Sequence, residues 1–212
     1  MNEAEEKRNR LRAEQMIKAM KKRGMDAWFA ESRAEALQKA LELIPEGSSV
    51  CWGGSVSVTE IGLREALHAG HYQVYDRDTV ETAGEKEEMM RHAFSCDYFL
   101  GSTNAVTEDG ILVNIDGNGN RLAAYCWGPR HVLLITGMNK VVRTLEDAYD
   151  RARNEAAVIN GSRLPVETPC KYTGVCSDCT SPQRMCSQFL TTYTSRTPGR
   201  LQIILVNDKL GF

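Results

Sequence analysis

A chain of 212 residues with 25% charged and 42% hydrophobic side chains has the make-up of an ordinary globular protein, long enough for one α/β domain and a small appended module. A formal net charge of −2 leaves no electrostatic footprint for nucleic acid, and no apolar run approaches the ~20 residues that span a bilayer. The first ten residues, MNEAEEKRNR, lack the apolar segment of a secretory signal, so a cytoplasmic location with reduced thiols is expected.

Charges dominate residues 3–23, but Leu11, Ala13, Ile17 and Met20 leave an apolar stripe at helical spacing, and Gly24 ends the helix. DAWFA (26–30) is a short strand. The next helix opens with Ser32 as N-cap and Glu35 three residues on, and it stops at Pro45-Glu46-Gly47. SSVCW (48–52) is a buried strand, SVTEIGLREALHAG (57–70) a helix closed by Gly70, and YQVYD (72–76) another strand. A helix over 84–96 and a strand over 97–103 follow. GILVNID (110–116) and HVLLITG (131–137) are two further strands separated by the DGNGN turn, which reads as a glycine-rich hairpin. TLEDAYDRARNEAAVIN (144–160) is the last clear helix, with Thr144 as N-cap. FLTTYT (189–194) and LQIILVN (201–207) are strands that return to the sheet.

This alternation predicts an α/β fold: an open, mostly parallel sheet with helices on both faces. Residues 1–165 form the α/β domain, 166–190 a cysteine-rich module, and 191–212 the C-terminal strands that complete the domain.

Three stretches carry candidate chemistry. In VCWGGSVSVTEIGL a strand ends in Gly53 and Gly54, so the backbone can turn tightly and present amides to an anion. Ser55 and Thr59 add hydroxyl donors. The plain alternative is a tight turn with a serine N-cap. Between 101 and 137, polar residues sit among apolar strands. Glu108-Asp109-Gly110 is either a tight turn or a strand end carrying Glu108 as a base. Asn104, Asn118 and Arg121 face a small ligand if this region lines a pocket, and Arg130 suits bidentate contact with a carboxylate or phosphate.

The third stretch, CKYTGVCSDCTSPQRMC, places four of the seven cysteines in the spacing C-x5-C-x2-C-x6-C: Cys170, Cys176, Cys179 and Cys186. Four thiolates without a histidine suit zinc or a 4Fe-4S iron–sulfur cluster. The single C-x2-C chelate is at least as compatible with the cluster, since zinc modules more often pair two. Cys51, Cys96 and Cys126 sit in apolar contexts and read as small core residues.

GSTNAVTEDGILVNIDGNGNRLAA followed by GPRHVLLITGMNKVV, together with WGGSVSVTEIGL and the terminal cysteines, resembles the lactate-utilisation (LUD) domain family over nearly the whole chain. The resemblance implies a fold like that of phosphosugar isomerases and CoA transferases, with Gly53, Gly54 and Ser55 at a phosphate or acyl-CoA site. It places Glu108 and Gly110 in the family's site. It also implies a redox or redox-accessory role in oxidising L-lactate to pyruvate, beside an iron–sulfur partner protein, and so favours the cluster over zinc. An isomerase- or transferase-like enzyme, or a ligand-binding module with a purely structural metal, is the alternative. Expected partners are a small anionic metabolite, an iron–sulfur protein and a second copy of the chain in a homodimer.

Overall fold

The computed structural model describes residues 2–212. Its strands in chain order are β1 (Asp26–Ala30), β2 (Ser49–Trp52), β3 (Gln73–Tyr75), β4 (Tyr98–Gly101), β5 (Ala105–Thr107), β6 (Leu112–Asp116), β7 (His131–Gly137), β8 (Val141–Val142), β9 (Gln188–Thr192) and β10 (Leu201–Val206). A six-stranded sheet runs β1-β10-β7-β4-β2-β3, and every pairing in it is parallel. The helices are α1 (Glu3–Lys22), α2 (Arg33–Leu43), α3 (Val56–Glu60), α4 (Leu63–Ala69), α5 (Ala83–His92), α6 (Asn120–Cys126), α7 (Leu145–Asp150), α8 (Ala157–Arg163) and α9 (Pro169–Thr173).

The central strands are apolar at successive positions because both faces of the sheet are covered. Leu201, Ile203 and Leu205 of β10, with Val132 and Leu134 of β7, point to one face and meet Met16 and Met20 of α1 and Ala124 and Tyr125 of α6. Ile204, Val206, Leu133 and Ile135 point the other way, onto Ala36 and Ala40 of α2 and Val58, Leu63 and Leu67 of α3 and α4. Helix starts follow the sequence. The Ser32 hydroxyl accepts from the Glu35 amide at 3.2 Å, and Thr144 with Asp147 forms a full capping box on α7.

Four features depart from the sequence expectations. The segment 57–70 is two helices, because Gly62 takes a left-handed conformation (φ 76°) between α3 and α4. DGNGN is not a hairpin. Gly119 (φ 81°) leads into α6, and that helix is the crossover by which β7 can lie parallel to the strands before it. A second, four-stranded sheet in the order β8-β5-β6-β9 grows from the excursion between β4 and β7. FLTTYT joins this sheet, antiparallel to β6 from Leu112↔Thr192 to Asp116↔Gln188, so LQIILVN alone returns to the parallel sheet. Finally, α7 continues into α8 through a π-helical stretch, Arg151–Ala156. Ala148, Ala152 and Ala157 from this long helix pack on Ala105, Val113 and Ile115 of the second sheet.

Leu134 is enclosed on the first face of the parallel sheet. Leu134→Ala should lower unfolding free energy by about 2–5 kcal/mol, read as a lower urea midpoint with unchanged slope.

Candidate functional site

A cleft of about 830 Å³ opens over the carboxyl ends of the parallel strands, where open α/β sheets place ligands. The turn after β2, Gly53-Gly54-Ser55, forms its floor with Thr59 and Glu60 of α3. Asn104, Asn118 and Arg121 close one side, Arg64 and Arg77 another, and residues 182–185 of the cysteine module a third. Five arginines (64, 77, 121, 163 and 184) line it against three carboxylates, Glu60, Asp78 and Asp116. The excess of guanidinium over carboxylate favours an anionic occupant.

A Cβ at Gly53 would stand 3.5 Å from the Arg121 side chain, and one at Gly54 would stand 3.4 Å from Arg77, so two cations lie against the turn. The Ser55 hydroxyl is buried in the cleft wall with no protein partner, an orphan that a ligand oxygen would satisfy.

Asn104 ties the elements together. Its Oδ1 accepts from the Ile115 amide at 3.0 Å and from Arg121 Nη2 at 3.1 Å, and its amide donates to Asn114 Oδ1 at 3.3 Å. Its carbonyl accepts from Arg151 Nη1, so the π stretch is pinned to the same point. On the far wall, Arg64 donates to Asp76 at 2.8 Å and Asp78 at 2.9 Å and lies 5.2 Å above the Trp52 ring. His68 Nε2 is 3.0 Å from the same Asp76 oxygen. Asp76 is only 3% exposed. Burial opposes its charge, but the Asp78 amide, His68 and Arg64 together hold its carboxyl below the ordinary range.

Beside the cleft, Cys170, Cys176, Cys179 and Cys186 line a single small cavity of about 20 Å³. Cys170 follows Pro169 at the start of α9, and Gly174 (φ 69°) turns the chain back toward Cys176. Asp178 takes the left-handed conformation (φ 49°) within the C-x2-C chelate. Two cations attend the thiols. Arg184 donates to Cys179 O at 2.7 Å and reaches Cys186 Sγ at 3.4 Å, while Arg153 lines the same cavity and pairs with Asp178. Ala157, Arg184 and Met185 border both the cavity and the cleft. Among the described residues no three His, Cys, Asp or Glu side chains are gathered at ligating distance, so the sulfurs share a cavity without yet converging on one point.

The model of the LUD domain matches residues 13–206. The chain belongs to the LUD domain family. A crystal structure of a DUF162 family protein from Deinococcus radiodurans has the same fold, with a TM-score of 0.54 at 12% identity over 93% of this chain and 98% of that one. No curated protein matches the chain.

Of the ligand residues expected from sequence, this LUD domain brings Gly53, Gly54, Ser55, Thr59, Asn104, Asn118 and Arg121 to one cleft. The other three expected site residues lie outside it. Glu108 accepts from Arg12 Nε at 2.9 Å beyond the end of β5. Gly110 (φ 88°) completes the β5–β6 turn, where a Cβ would come within 2.9 Å of Met20 Cγ. Arg130 precedes β7, at the opposite end of the strands, with its side chain 79% exposed beside Asp97. Burial pushes the Cys51 thiol up to about 11 and that of Cys96 up to about 12, as core thiols require, but Cys126 is exposed rather than buried.

Sequence reasoning missed Arg64, Arg77 and the buried Lys140; Arg184 is expected from sequence beside the cysteines, as an offset to cluster charge, but not on the cleft rim. A lone lysine in GMNKVV, between apolar neighbours, was the available signal for Lys140.

Asp76→Ala should cost about 1–3 kcal/mol. Because the folded-state pKa of Asp76 is depressed, its contribution is present at neutral pH and fades on acidification through that pKa. Thermal unfolding along a pH series should show the wild-type advantage shrinking toward zero in acid.

Proposed function

We propose that this LUD domain binds a small anionic metabolite of the 2-hydroxy-acid class, with lactate as the reference compound. It holds an iron–sulfur cluster on Cys170, Cys176, Cys179 and Cys186 and serves as a redox or redox-accessory protein. The observation that carries this reading is the common wall: Ala157, Arg184 and Met185 separate an arginine-rich cleft from a cavity lined by all four cysteines.

The donor set matches such a cluster in ligand type and number. Four thiolates match its ligand count, and Arg153 and Arg184 stand where a net negative thiolate centre needs compensation. When bound, the cluster supplies one-electron transfer. The chain's own residues do the rest. Arg121, held rigid by Asn104 and by the carbonyl of Ile115, offers a fixed guanidinium to a carboxylate. Gly53 and Gly54 admit the ligand close to the backbone. Residues 182–185 border that side of the cleft.

A second reading has its own support. A cavity of about 20 Å³ has room for a single ion, so zinc on the same thiols would staple the loop without redox chemistry.

Two measurements test the proposal. Anaerobically purified protein should be brown and contain iron and acid-labile sulfide, and Cys176→Ser should lose most of both. A colourless protein with one zinc per chain would establish the structural alternative. Arg121→Met should weaken L-lactate or sulfate binding by about 10- to 100-fold, the loss of one charge-assisted contact, as read by calorimetry. Unchanged affinity would remove Arg121 from the site.

A further inference from the structure

Lys140 lies in the 3₁₀ turn between β7 and β8, and it is 3% exposed. Its Nζ donates to Ser57 Oγ at 3.1 Å and to Ser102 Oγ at 2.9 Å. Both serines are buried and neutral. The backbone of Gly211 covers the group so closely that a Cβ there would stand 2.9 Å from Ser57 Oγ and 3.4 Å from Nζ. Among the described residues, no carboxylate bonds the ammonium, and its third N–H has no acceptor. A buried ammonium without a counter-charge costs several kcal/mol, so proteins seldom leave one without a use.

Its position suggests the use. Ser57 lies two residues beyond Ser55, and Ser102 two residues before Asn104, so Lys140 bridges the two segments that supply these cleft residues. The charges that face it come from three elements: Arg151 in the π stretch, Arg121 at the start of α6, and Glu60 at the end of α3. Two of these, Arg121 and Glu60, line the cleft themselves. Burial first, then Arg151 and Arg121, bring the Lys140 pKa down to about 7, while Glu60 acts the other way.

We propose that Lys140 is the buried counter-charge of the cleft, so that binding of a carboxylate or another oxyanion and protonation of the amine held between Ser57 and Ser102 are one coupled event. The inference rests on the reading of the cleft as an anion site and adds the group that makes binding selective for charge. The ligand need not touch the amine, because Arg121 and Glu60 act on its charge and also line the cleft.

The sign follows from linkage. Without ligand, the amine begins to lose its proton near pH 7, and a bound anion moves its pKa back upward. Binding therefore takes up protons in the window between the two values. Affinity is highest below about pH 7 and falls by up to about tenfold per pH unit through that window. A lysine that merely tied Ser57 to Ser102 would give no such uptake.

The test is calorimetric titration of the whole protein with sulfate and, separately, with L-lactate, neither of which titrates near neutral pH. Measurements at about pH 7.5 in buffers of different ionisation enthalpy give the protons taken up. Wild-type protein should take up a substantial fraction of a proton with either anion. Lys140→Met should bind at least tenfold more weakly with no uptake. Lys140→Arg, which keeps the charge, should bind without uptake and with an affinity independent of pH from about 6 to 9. Uptake with sulfate but not L-lactate would restrict the coupling to inorganic oxyanions and overturn the carboxylate half of the proposal. Wild-type binding without proton uptake, or uptake that persists in Lys140→Arg, would overturn the inference and leave the cleft as an anion site. Absence of binding by both anions to wild-type protein would overturn the cleft reading and this inference with it.

Discussion

The wall of the cleft that carries Arg121 is fastened to Asn104. One buried amide receives the Ile115 N–H and the Arg121 guanidinium on its Oδ1, gives its backbone N–H to Asn114, and offers its carbonyl to Arg151. The exit of β4, the strand β6, the helix α6 and the long α7–α8 helix meet there. In the low dielectric of the interior such hydrogen bonds are strong and fix the geometry of the groups that share them. A shift of Asn104 would move Arg121 and Arg151 together, and with them the electrostatics of the cleft.

The long helix carries that fixity outward to the cysteines. Its π stretch presents Arg151 inward to the knot and Arg153 outward to Cys176 and Asp178, a division that a regular turn would place differently. Arg184 returns from the module to the cleft edge. The anion-receptive side and the thiol side are thus neighbours through three residues, not two separate devices on one fold. The proposed function rests on this adjacency.

The fold was legible because buried strands announce themselves. HVLLITG and LQIILVN are apolar at consecutive positions, a pattern that a two-sided parallel sheet demands, and Ser32 and Thr144 mark helix starts by their hydroxyls. The second sheet was not legible. Its strands are short, and the partner of β6 is β9, which arrives some seventy residues later from beyond the module. DGNGN misled because Gly-Asn runs favour hairpins locally, whereas the parallel placement of β7 needed a helix at that point. In the site, glycines and amides near strand ends could be read in advance, since their backbone demands are local. Arg64 and Arg77 could not, because arginines are common on surfaces, and Arg184 could be read only as a neighbour of the cysteines, since only the fold brings all three to one rim. Glu108 has the residue type expected of a base but sits at a turn whose partner, Arg12, comes from the other end of the chain.

The decisive measurement is anomalous X-ray diffraction from crystals of anaerobically purified protein, recorded at the iron and zinc absorption edges. An iron centre on the common wall predicts a strong iron-edge peak within the space bounded by Cys170, Cys176, Cys179 and Cys186, a few ångströms from Arg184. A peak there that appears only above the zinc edge, or sulfurs pointing apart with no metal between them, would contradict it.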